Sequence, residues 1–460
     1  MKWNNLSLHK IKWICSFIVV LLPFFCSISN IFQKYLAVTL WAIMMWMFEL
    51  LPEEIVAIML PGLYILFDIT NYATAFSAWT TSTPWITLGG LMIGGMIVKS
   101  GLVLRIAYKS LLLTKGSLKG IVWGIVLTCT IFTPLIPSIM AKVALLVPVV
   151  IGICKVLKVE AKSATASALM LVVFFALWSP KMAFMTASTD SILTAGILEQ
   201  YLGVKITWLA WAKDMFIPGI LWMLVSIPLI YILRLQHLNL NKEYLKIEYR
   251  KLGKITIDEK KTVTLITALL ILLIFSSWHK LPEGVLMLGI GCLGFFPGIG
   301  LLKSDDFSKI QFKVVFFLAG AVTIGAVASS IGITESVINF VQPYFEQMNS
   351  YELVMSIYIF SILANFLLNP LALIATLMIP IANLCSNLGY SATIGGYSMI
   401  MGFNQALFPY EIAPLMLVYG FGYLKLTHLI KVMVFRIVAG IIFMTVVTYP
   451  YWLYIGLLDK

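Results

Sequence analysis

Long apolar runs alternate along the chain with short polar punctuation. Residues 14–33, 83–98, 163–180, 215–233, 262–278, 314–334 and 437–458 carry no charged side chain. Each is long enough, or nearly so, to cross a hydrocarbon layer, which takes about 20 helical residues. Lipid offers the backbone no hydrogen-bond partner, so such runs are predicted as helices. Further spans are predicted at 35–51, 55–67, 121–135 and 283–300. Glu49, Glu53 and Glu54 flank Pro52 and read as a loop, because proline breaks helices. Lys213 and Asp214 read as the start of a span. Lys99 and Arg105 bracket Gly101 and read as interfacial anchors where a span ends.

The most hydrophilic stretch, 235–261, divides the chain almost in half. It holds seven lysines and arginines, among them Lys242, Arg250 and Lys261, against four acidic residues. The reading is therefore a first span at 1–34, a first repeat at 35–235, a basic linker at 236–261 and a second repeat at 262–460. Cytoplasmic loops of membrane proteins are enriched in Lys and Arg. That places the linker, and the N-terminus with Lys2, Lys10 and Lys12, in the cytoplasm, with six spans between them. The N-terminus resembles a signal peptide but lacks a clean small-residue cleavage site, so it is read as a retained span.

Composition agrees. Of 460 residues, 61% are hydrophobic and 11% charged, whereas soluble domains carry about a quarter charged residues. The fold class expected is an all-α polytopic membrane protein of the inner (plasma) membrane, with about 11 transmembrane helices and two re-entrant hairpins. The net charge of +12 gathers in the N-terminal tail and the linker, which argues for membrane orientation and against nucleic-acid binding. The six cysteines make no CxxC pair and no Cys/His cluster, so they read as small apolar core residues; no organic cofactor is expected, and a metal site is left open.

The two halves repeat a pattern of breaks. In the first, Thr133, Pro134, Pro137 and Ser138 precede an apolar segment that holds Lys142 and Pro148; Trp178, Ser179 and Pro180 follow. In the second, Asn365, Asn369 and Pro370 precede a segment holding Thr376 and Pro380, and Phe408, Pro409 and Tyr410 follow. Corresponding landmarks lie about 230 residues apart. A lone proline most simply kinks a packed helix. Matched interruptions in two halves point instead to the binding site of a transporter built from inverted repeats.

A helix that begins in mid-membrane aims unpaired N–H groups and partial positive charge at whatever precedes it, which suits a carboxylate, sulfate or phosphate. Ser138, Ser179, Thr186 and Ser188 in the first half, and Asn365, Asn369, Thr376 and Asn404 in the second, could add polar contacts. Lys142 has two readings, an anion partner or a side chain snorkelling to the interface. Asp190 and Glu411 follow the breaks and could bind a coupling cation or proton, or pair with Lys142, Lys181 or Lys425.

Several of these residues resemble the divalent anion:sodium symporter family of di- and tricarboxylate and sulfate carriers. Ala78, Trp79, Thr83, Trp85, Gly89, Gly90, Gly94, Gly95, Lys99, Gly101 and Arg105 are similar to its third-span region. Ile136, Pro137, Ser138 and Lys142 resemble its first hairpin; Met182 to Ser188 resemble the unwound loop that follows. Asn404 to Glu411, with Val418 to Gly420, resemble the matching loop of the second half. The resemblance implies a scaffold domain and a mobile domain that moves as an elevator, a homodimer, and Na+ as coupling ion. It implies Ser138, Lys142 and Thr186 at the solute with Pro409 opposite; the reading of the breaks themselves adds Ser179, Asn369 and Thr376 to the solute set, and takes Ser138, Asp190, Asn404 and Glu411 as the coupling-ion set. One departure matters: where members carry Ser-Asn-Thr at the first tip, this chain has Ser138, Ile139 and Met140. Hard cations need several oxygen ligands, so this tip weighs against sodium and leaves proton coupling or exchange open. The leading expectation is a secondary transporter of a small anion. The alternatives are an intramembrane enzyme acting on a lipid-linked substrate and a channel-like or non-transporting membrane protein. The absence of HExxH and Walker patterns counts against a zinc enzyme and a primary pump.

Overall fold

A computed structural model of the chain describes residues 2–48, 50–114, 117–134, 136, 138–236 and 242–459, and among these it contains helices and turns but no strand. The first half contains α1 (Lys2–Leu21), α2 (Asn30–Met47), α3 (Glu53–Leu66), α4 (Ser82–Lys99), α5 (Leu102–Leu112), α6 (Leu118–Phe132), α7 (Ile139–Val156), α8 (Ala164–Trp178), α9 (Thr189–Leu202) and α10 (Trp208–Ser226). The linker carries α11 (Lys242–Lys251). The second half contains α12 (Ile257–Ile274), α13 (Glu283–Leu293), α14 (Phe312–Ser330), α15 (Ile333–Val341), α16 (Ser350–Asn365), α17 (Pro370–Asn387), α18 (Ala392–Phe403), α19 (Ala413–Gly420), α20 (Leu426–Phe443) and α21 (Tyr449–Tyr454). Among the described residues six helices are long and apolar enough to cross a membrane, or seven if α4 and α5, bent by 64° at Gly101, form one span. Gly101 sits at φ +82°, a left-handed conformation that glycine adopts without steric cost.

The halves share one local plan. A helix ends, a short tip follows, and a capped helix begins: Ser138 accepts from the Ala141 N–H and Asn369 from the Ala372 N–H. These caps satisfy donors that a mid-membrane helix start would otherwise leave unpaired. α6 and α7 form the first such unit, α16 and α17 the second. The broken helix follows each, α8 with α9 and α18 with α19. The post-break helices cross over, α9 packing on α17 and α19 on α7.

Hydrogen bonds give the directions. Thr165, in the first turn of α8, accepts from the Gln236 N–H, and Ser167 accepts from the Lys425 N–H. So α8 starts at the linker end. Tyr397, midway along α18, donates to Asp214 in the second turn of α10, and Asn404 at the end of α18 accepts from Trp222 further along α10, whose far end leads to the linker. So α18 starts at the opposite end, and the two helices point their C-termini at each other. Beside these paired tips and breaks stand α3, α4, α13 and α14. A Cβ on Gly89 would lie 2.3 Å from the Met287 backbone, and one on Gly320 2.2 Å from the Ala57 carbonyl oxygen. Glycine there lets α4 meet α13, and α14 meet α3, backbone to backbone.

Several expectations need correction. The 14–33 run is two helices: Pro23 leads into a 3-10 turn at Leu22–Phe25, and α2 starts only at Asn30, so a boundary at residue 34 would cut α2. Glu53 and Glu54 form the first turn of α3, where Pro52 precedes the helix and the dipole favours negative charge; Glu49 lies outside the described residues. Lys213 and Asp214 lie inside α10, which Thr207 caps further upstream. Lys99 does pair with Asp306, but Arg105 is buried. It donates to Glu259 at 2.6 Å and to the carbonyls of Gly253, Leu252 and Lys254 at 3.0, 3.1 and 3.1 Å. The linker therefore folds back onto α5. The last apolar run also starts earlier than expected, at Leu426, with Arg436 inside the helix.

Candidate functional site

Pro180 cannot extend α8, since its ring excludes the helical hydrogen bond. The chain passes through two 3-10 turns, Pro180–Ala183 and Met185–Ala187, before α9 begins. The second break runs from Asn404 to the turn Pro409–Glu411, and α19 begins at Ala413. The two breaks meet. Trp178 Nε1 donates to the Asn404 carbonyl and Asn404 Nδ2 donates to the Trp178 carbonyl, both at 3.0 Å. Trp222 Nε1 donates to Asn404 Oδ1, also at 3.0 Å.

Arg436, from α20, fills the same junction. Its Nη1 donates to the Asn404 carbonyl at 2.6 Å and to Gln405 Oε1 at 3.2 Å. Its Nη2 donates to Asn404 Oδ1 at 2.6 Å and to Ser179 Oγ at 3.0 Å. The guanidinium lies 4.8 Å from the Trp222 ring centroid and 5.1 Å from that of Phe175, and the residue is 1% exposed. No carboxylate pairs with it among the described residues.

The first break closes on itself. Lys181 pairs with Asp190 and stands over the Trp178 ring, 3.2 Å from its centroid. Of the partners open to Asp190, the fold selects Lys181. Lys142 is 1% exposed, which rules out snorkelling. Its Nζ is 3.4 Å from the Ala187 carbonyl, and among the described residues no carboxylate lies within ion-pair distance of it. Thr186 donates to the Pro134 carbonyl and accepts from Trp208 Nε1, tying the first tip to the first break.

Two cavities adjoin the tips. One, of about 390 Å³, is lined by Ser138, Ala141, Gly90, Gly94, Lys99 and Asp306. The other, of about 600 Å³, is lined by Asn365, Asn369, Tyr410, Glu411, Glu53 and Met140 among others. Met140 belongs to the first tip and Asn369 to the second, so both tips border one space. Asn369 Nδ2 donates to Glu53 Oε1 at 2.8 Å. Glu411 is 3% exposed and accepts from the Leu407 and Phe408 N–H groups at 3.1 and 2.7 Å and from Asn365 Nδ2 at 3.3 Å. Asn365 Oδ1 is buried without a hydrogen-bond partner. Pro409 is buried in the same loop. Thr376 stands apart, its hydroxyl bonded to the Ala372 carbonyl of its own helix.

The oxygens suited to a hard cation are few here. At the first tip Ile139 and Met140 bring only backbone groups, and Ser138 Oγ already serves as a cap. At the second break both Asn404 oxygens are taken by Arg436. Sequence reasoning missed Arg436, Gln405 and Trp222. The available signal was a single arginine between Phe435 and Ile437, since a charge deep in an apolar helix is functional by default.

A model of the sodium:sulfate symporter transmembrane region matches residues 4–458. The chain belongs to this family. Dicarboxylate transporter 1, chloroplastic, of Spinacia oleracea is 26% identical over 250 residues, 53% of this chain and 44% of that protein. The L-tartrate/succinate antiporter of Shigella dysenteriae is 23% identical over 401 residues, 81% of this chain and 78% of that protein. The match thus spans less than half the length of the spinach protein. The crystal structure of the Alcanivorax borkumensis YdaH transporter superposes with a TM-score of 0.56 at 14% identity, covering 86% of this chain and 90% of that one. At that identity the likeness shows a shared fold and nothing further.

Proposed function

We propose that the chain is a secondary carrier of a small anion of the di- or tricarboxylate or sulfate kind. The observation that carries this reading is the convergence of both tips on one cavity, beside two broken helices that meet. Lys142, without a carboxylate partner among the described residues, supplies positive charge for an anion; Asn369 borders the shared cavity and Ser138 the neighbouring one, and Ser179, Thr186 and Pro409 belong to the breaks beside them, with Thr376 further along α17. Several of these groups are bonded internally in this conformation, so solute entry requires them to exchange partners. The part holding the tips and breaks shifts against α3, α4, α13 and α14, in an elevator within a homodimer of the inner membrane, N-terminus in the cytoplasm. Glu411, with Asn365 beside it, is the coupling group of choice, because among the described residues no cation pairs with it; Asp190 is already paired with Lys181.

Counterflow in proteoliposomes tests the carrier reading, using labelled succinate, malate, citrate and sulfate in turn. Saturable uptake, faster when the same solute is loaded on the far side, is expected for at least one. Uptake linear in concentration and indifferent to trans solute for all four ends the reading, and would favour a channel.

A further inference from the structure

We propose that the Arg436 guanidinium is the resident cation of the junction between the two broken helices, and that the carrier cycles without sodium because this tethered charge holds the place a mobile cation would take. The inference rests on the carrier reading for its second half only. Ser179 is the C-cap of α8 and Asn404 the C-cap of α18. Each helix C-terminus carries about half a unit of negative charge, and here two of them face each other across a buried space. Such an arrangement needs a cation. In broken-helix transporters, half-helix C-termini and unwound carbonyls are where coupling cations bind. Here that donor set is complete and already used: the Asn404 carbonyl, Asn404 Oδ1, Gln405 Oε1 and Ser179 Oγ all accept from Arg436.

The charge itself is otherwise unexplained. A buried arginine normally meets a carboxylate, and none pairs with Arg436 among the described residues. Its counter-charge is instead the carbonyl and amide oxygens at the two helix ends, with the faces of Phe175 and Trp222 on either side. The planar fork reaches both C-caps at once, through Nη1 and Nη2, which a lysine ammonium on one axis does less well. Arg436 therefore also determines cation specificity, by occupying the site permanently.

The experiment has two arms. The first reads melting of the purified full chain in detergent, wild type against Arg436→Ala, in millimolar guanidinium chloride or in potassium chloride at equal ionic strength. Wild type should be indifferent. Arg436→Ala should melt several degrees lower, and guanidinium but not potassium should restore part of the loss. Wild-type melting for Arg436→Ala, or equal effects of both salts on it, overturns the resident-cation assignment. If Arg436→Ala does not fold, Arg436→Lys and Arg436→Met replace it. A folded Lys variant beside an unfolded Met variant supports the need for charge; equal failure or equal success of the two overturns it. The second arm compares wild-type uptake in sodium and in choline media at fixed pH. Equal rates are expected, and a loss of about tenfold or more without sodium, the scale of one charge-assisted contact, overturns sodium independence. If wild type carries none of the four anions, the carrier reading falls while the melting arm still decides the role of Arg436.

Discussion

Trp178 and Asn404, 226 positions apart, exchange hydrogen bonds through indole, amide and both backbone carbonyls. Each closes the end of a helix from a different half. Neither half completes this contact alone, so the junction reports directly on how the two halves of the chain come together.

Replacing Asn404 by leucine keeps its size and removes its amide. Trp222 Nε1, the Trp178 carbonyl and one bond of Arg436 lose their partner. A buried group left unpaired costs about 1–3 kcal/mol, so Asn404→Leu is expected to lower the melting temperature markedly in a detergent thermal-shift assay. Melting within a degree or so of wild type, less than a loss of this size produces, would mean that the junction contributes little to stability.

Lys142→Met retains length and apolar packing while deleting the charge. If Lys142 faces the anion, the half-saturating concentration rises by about tenfold, equivalent to roughly 1.4 kcal/mol, with folding intact. Unchanged half-saturation in proteoliposomes removes Lys142 from the solute path.

Glu411→Gln preserves an acceptor for the Leu407 and Phe408 N–H groups but cannot release or carry a proton. The variant is expected to fold, to exchange solute across the membrane, and to lose acceleration by an imposed pH gradient. Uptake that still follows the gradient transfers the coupling role to another group.

Arg105→Ala frees three linker carbonyls and Glu259. Trypsin should then cut faster at Arg250, Lys251 and Lys254, as local opening exposes the backbone. Equal cleavage rates in wild type and variant would show that the linker is held by other contacts.

Much of this architecture was legible in the residues. Pro180, Asn369 with Pro370, and Pro409 marked the interruptions, because proline and capping residues act locally and leave a local trace. The apolar run of α8 was legible for the same reason. Arg436 was not, because a charge in an apolar run looks like a boundary when its acceptors are a carbonyl, two amides and a hydroxyl rather than a carboxylate, and one of them, Ser179, is 257 positions away. Arg105 reads as an interfacial anchor in the sequence since its acceptors are mostly backbone carbonyls, which no side-chain pattern announces. The division between α1 and α2 escaped notice because Pro23 sits in a stretch that stays apolar on both sides.

The four hydrogen bonds from Arg436 bind α20 to both unwound segments at once. A rod fastened to both could not stay behind if they were to travel together. Any displacement that keeps this clasp carries the chain's last long helix along as passenger, leaving it no part in the stationary frame.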